Sequence, residues 1–93
     1  MTRAAVGAVL LAWAAVAWAD VEIATANRAQ LEQLRGIGPP LAETILVERD
    51  KRAFRDWADL IARVRGIRAA KARQLSEAGL RVGGRPYEAE PPR

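Results

Sequence analysis

Apolar positions along this chain change their spacing three times. Ala4 to Ala19 is an uncharged, mostly apolar run that follows the single positive charge of Arg3 and ends in Ala17-Trp18-Ala19, with the polar Asp20-Val21-Glu22 behind it. A positive start, an apolar stretch and a small-x-small end predict a secretory signal peptide over residues 1–19. The rival reading is an uncleaved anchor, although sixteen residues fall short of the ~20 that a spanning helix needs. Either way, Arg3 keeps the start inside and places the rest beyond the cytoplasmic membrane. From Asn27 onward the spacing becomes helical. Leu31 and Leu34 mark a first helix over about 28–35, opened by the Asn27/Gln30 capping box after a short extended lead-in. Leu41, Ala42, Ile45 and Leu46 mark a second over 39–49, starting on Pro39. Asp56 caps a third, with Trp57, Leu60, Ile61 and Val64 as its buried stripe. A fourth spans about 69–78 and stops at Gly79, with Leu80 as the closing apolar contact. Phe54, in the basic linker 50–55, is the expected pin between the two halves. Gly83-Gly84, Pro86 and Pro91-Pro92 read as a disordered tail over 83–93.

The second spacing repeats. Leu34-Arg35-Gly36-Ile37-Gly38-Pro39-Pro40-Leu41-Ala42 returns thirty residues later as Val64-Arg65-Gly66-Ile67-Arg68-Ala69-Ala70-Lys71-Ala72. Leu31/Ile61 and Ile45/Leu75 extend the match. Spacing and residue type kept together are strong evidence of duplication. Each copy reads as a helix end, a tight hairpin and a helix start. Glycine at 36 and 66 suits a C′ residue with φ > 0, and the isoleucine after it points inward as a plug. What faces outward is backbone N–H at the positive end of a helix dipole, an anion site.

Two glycine-hydrophobic hairpins, each between helices, resemble the tandem helix-hairpin-helix family, and within it the ComEA-type DNA receptors of competence. The resemblance covers 21–80. It implies an all-α domain over 20–82, four short helices in two pseudo-repeats preceded by a signal-peptide helix. It implies double-stranded DNA as partner, gripped outside the cell's inner membrane, with the DNA-uptake machinery as a further partner. Ile23-Ala24-Thr25 departs from the family's Ile-Asn-Thr by losing the asparagine. Arg68 departs from the family's second hairpin glycine. If that place needs φ > 0, arginine there costs on the order of 1 kcal/mol, and the second hairpin works through side chains more than through backbone. Each hairpin then keeps half the task, geometry in the first and charge in the second. Some hairpins of this family hold a monovalent cation on backbone carbonyls; otherwise no cofactor is implied.

Composition narrows the function further. With Lys+Arg 15 against Asp+Glu 11 the chain carries +4, and it has no His and no Cys. Thiol nucleophiles, imidazole bases and the usual zinc ligands are therefore excluded, and no carboxylate cluster suggests acid–base or metal chemistry. A catalytic role is not expected. Between Arg63 and Ser76 lie five positive charges (Arg63, Arg65, Arg68, Lys71, Arg73) and no acid. Around a hairpin this is a phosphate-facing rim; the plain alternative is a solvated helix face. The expected DNA-contacting set is Arg35, Gly36, Ile37 and Gly38 in the first hairpin, and Arg63, Arg65, Gly66, Ile67, Arg68, Lys71 and Arg73 around the second. Trp57 is at core spacing and no exposed aromatic pair offers base stacking. No recognition helix with Asn or Gln offers base-edge readout. A protein-pairing module built on the same hairpins is the competing function.

Overall fold

The computed structural model describes residues 20–89. The chain runs β1 (Val21–Glu22), α1 (Arg28–Glu32), α2 (Pro39–Lys51), α3 (Trp57–Arg63), α4 (Ala69–Glu77) and β2 (Leu80–Arg81). The signal-peptide segment and residues 90–93 lie outside the described residues. No described helix is long and apolar enough to cross a membrane.

Local chemistry sets the helix starts. Asn27 Oδ1 accepts the Gln30 N–H at 2.8 Å and Gln30 Oε1 accepts the Asn27 N–H at 2.8 Å. Asp56 Oδ1 accepts the Asp59 N–H at 2.7 Å, which opens α3. α1 is shorter than its apolar spacing predicts, ending at Glu32. Leu34 turns out of the helix, and its carbonyl accepts the Ile37 N–H at 3.1 Å, so residues 33–36 already belong to the hairpin. α2 runs two residues further than expected, to Lys51.

Both repeats feed one core. Leu34/Val64, Ile37/Ile67, Ala42/Ala72 and Ile45/Leu75 are buried in corresponding places. The correspondence weakens upstream: Leu31 is fully buried, whereas Ile61 is half-buried and Leu60 takes the interior position. Burying a Leu or Ile side chain contributes roughly 1.5–3 kcal/mol, so the large apolar members of these pairs are a substantial part of the core's stabilisation. Phe54 is buried as expected.

Two features correct the sequence reading. The extended lead-in is a strand: β1 pairs in parallel with β2, Val21 opposite Leu80 and Glu22 opposite Arg81. The Val21 N–H donates to Gly79 O at 2.8 Å and the Ile23 N–H to Arg81 O at 2.9 Å. The described part of the expected tail, 83–89, folds back onto the domain. Gly83 and Gly84 hold φ of 62° and 76°, the turn that needs two positive φ values, and Val82 and Arg85 exchange backbone bonds at 3.1 Å. The Glu22 carboxylate accepts both glycine N–H groups. Beyond the turn, the Trp57 indole N–H donates to Arg85 O at 2.8 Å and Tyr87 packs edge-on against Trp57 at 5.5 Å. Composition signals disorder only where nothing apolar anchors a segment, and here Val82 and Tyr87 are anchors.

Candidate nucleic-acid interface

The duplicated hairpins have the same backbone. Gly36 and Gly66 hold φ of 101° and 102°. Ile37 N–H donates to Leu34 O at 3.1 Å and Ile67 N–H to Val64 O at 3.3 Å, which closes each turn. Ile37 and Ile67 are 4% and 1% exposed. They plug the hairpins into the core, and with their amides also engaged they offer an outside ligand little. The next residue is the N-cap: Gly38 at φ −92°, ψ 179° for α2, Arg68 at φ −120°, ψ −173° for α4. Both are extended backbone that any residue adopts. Arg68 therefore carries no strain, and the expectation that it forces the second hairpin away from backbone binding does not hold.

The helix starts differ in donors. Proline at 39 and 40 removes two N–H groups from the first turn of α2, leaving the amides of Gly36, Gly38 and Leu41. α4 begins Ala69-Ala70-Lys71, so Gly66, Arg68, Ala69, Ala70 and Lys71 all keep theirs. Among the described residues none of these amides has a partner within the protein. Neither helix has an acid in its first turn, and Glu43, further along α2, is ion-paired with Arg28.

The fold brings the two hairpins to one place. Gly36, Gly38, Pro40, Leu41 and Thr44 on one side, and Arg65, Gly66 and Lys71 on the other, line an open cleft of about 410 Å³. Lys71 reaches across it. A Cβ added to Gly36 would lie 3.2 Å from Lys71 Nζ and 2.8 Å from Gln74 Nε2. Gly36 thus serves twice, by its positive φ and by leaving room for side chains of the opposite repeat. At Gly66 an added Cβ would meet nothing within 4 Å. Arg35, Arg68 and Arg73 are exposed but do not line the cleft. Among the described residues, Arg35, Arg65, Arg68, Lys71 and Arg73 form no ion pair. Gln74 and Thr44 escaped sequence reading, and Leu41 reads there only as part of the apolar stripe of the second helix. Gln74 follows Lys71 by three residues, which puts both on one helix face, and that spacing was the available signal.

Arg63 does not belong to this rim. Its side chain is 12% exposed and its guanidinium lies 4.5 Å from the Phe54 ring centroid. It donates to the carbonyls of Glu48, Arg52 and Ala53 and to Asp59 Oδ2. It is the strut that shapes the linker between the repeats. Asp59, 5% exposed, completes that strut by accepting the Arg55 backbone N–H at 3.0 Å. That bond first, and the Arg63 guanidinium next, hold its carboxyl below the usual aspartate range.

A family model described as the helix-hairpin-helix motif matches residues 16–78. The chain belongs to the helix-hairpin-helix family. No curated protein and no solved structure matches it. Helix-hairpin-helix motifs commonly bind DNA, so membership suggests nucleic-acid binding in general.

Proposed function

We propose that this domain holds double-stranded DNA by its phosphates, without reading sequence, on the outer side of the cytoplasmic membrane, as a non-catalytic receptor in DNA uptake. The observation that carries the DNA reading is the cleft in which unpartnered amides of both hairpins meet unpaired cations, Arg65 and Lys71. Amides and ammonium groups recognise phosphate oxygens and carry no base information. The export reading rests on the residue pattern of 1–19, and the uptake reading on the likeness to ComEA-type receptors.

The test is binding of the protein to several unrelated duplexes over a range of salt. With about four phosphate contacts, log affinity falls with log salt at a slope near −3 to −4, and the duplexes bind alike. Salt-independent binding, or a strong preference for one sequence, sinks the mechanism. Loss of transformability on deleting the gene, restored by the wild-type chain and not by one with Arg65 and Lys71 reversed in charge, tests the uptake role.

A further inference from the structure

The repeat assigns Lys71 to the second hairpin, since it lies in the first turn of α4. Its charge, however, lies elsewhere. Nζ would be 3.2 Å from a Cβ on Gly36, in the other repeat, and Lys71 lines the cleft together with Gly36, Gly38 and Leu41. Among the described residues its ammonium meets no carboxylate, and it makes no hydrogen bond to hold it there for structural reasons. Gly36 and Gly38 of the first hairpin line the cleft with amides that have no backbone partner, and the only cation close to them in sequence, the exposed Arg35, does not line it.

We infer that the first hairpin's phosphate site is composite: the amides of Gly36 and Gly38 supply its hydrogen bonds, and Lys71 of the second repeat supplies its charge. Arg65, on the second hairpin's own side of the cleft, serves a separate phosphate. This rests on the phosphate-binding reading above and deepens it, because one side chain then couples two motifs that the sequence presents as independent. It also gives Gly36 a binding role that Gly66 lacks, since any side chain at 36 pushes the ammonium away.

The experiment follows backbone amide NMR signals while a short mixed-sequence duplex is titrated into wild-type protein and into Lys71→Gln, a half-exposed position where the substitution leaves the core intact. In wild type, Gly36, Gly38 and Gly66 all shift on binding. In Lys71→Gln, the binding-induced shifts at Gly36 and Gly38 collapse, those at Gly66 persist, affinity drops on the order of tenfold, and the salt slope loses about 0.9. Lys71→Arg restores the Gly36 response. If Gly36 and Gly38 respond as before in Lys71→Gln, or if only Gly66 falls silent, the composite site is wrong while DNA binding stands. If no hairpin amide responds in wild type, the phosphate reading itself is wrong.

Discussion

Gly36 and Gly66 hold φ within one degree of each other, and the chain enters α2 and α4 through equally extended residues. Yet Pro39-Pro40 stands in one copy where Ala69-Ala70 stands in the other. The first hairpin is pre-set by its prolines and poor in donors; the second keeps every amide and gathers the cations. Duplication preserved the turn, because the turn is set by one glycine and one buried isoleucine, and it left the outward chemistry free to diverge. The expected split of geometry from charge therefore needs revision: the second hairpin has both, and the first completes itself with a side chain from across the cleft.

The largest effects come from what the copies share. Ile37→Ala and Ile67→Ala each remove a buried plug and should each cost about 2–5 kcal/mol, read as a shift in urea midpoint. If one is nearly silent, the two plugs are not equivalent. Next comes the contrast between neighbouring arginines. Arg63→Gln should lower the melting temperature by several degrees and leave the salt slope of binding unchanged, because its partners are internal. Arg65→Gln should do the reverse, leaving stability alone and reducing the slope by about 0.9.

The same strut predicts acid sensitivity. Asp59 is held below its ordinary value of 3.8 by the Arg55 N–H and then Arg63, and Glu48 below its ordinary 4.5 by Lys51 and then Arg63. Lowered carboxyl values mean that the stabilisation is complete above pH 4.5 and is lost as pH falls through the lowered values. The urea midpoint should decline on that acid side, and less so in Arg63→Gln.

Smaller effects separate the glycines. Gly36→Ala and Gly66→Ala should each cost about 1–2 kcal/mol from positive φ. Only Gly36→Ala meets Lys71 and Gln74, whose flexible ends can move aside. Equal stability loss with weaker DNA binding at Gly36 alone is the expected pair of results from melting and binding titrations. Finest of all, Ala69→Pro gives α4 one of the prolines of α2. It fits the first helical position, so stability should stay within about 0.5 kcal/mol, while the loss of one amide weakens binding roughly three- to tenfold.

Much of this was readable in one dimension. The Asn27/Gln30 box, the Asp56 cap, the glycines at 36, 66 and 79 and the core pairs all act locally or by spacing. Arg63 was misplaced because a run of charges along the sequence does not say which one turns inward. Its partner Asp59 stands four residues earlier on the same face of α3, and that pairing was the missed cue. The two-residue strands could not be seen, because Val21 gains its partner only when residues nearly sixty positions away come to lie beside it. The cleft was half visible: the repeat announced two hairpins, while their facing one another across Lys71 depends on how the helices pack.

The parallel pairing of β1 with β2 has a mechanical consequence. The domain's first and last ordered strands run the same way, so tension between the chain ends pulls them along their length in opposite senses. Once Tyr87 lets go, the backbone bonds of Val21 and Ile23 are loaded together in shear rather than unzipped one by one. Force applied between the two chain ends is borne by this clasp, and the two hairpins, which lie between its strands in the sequence, are spared that load.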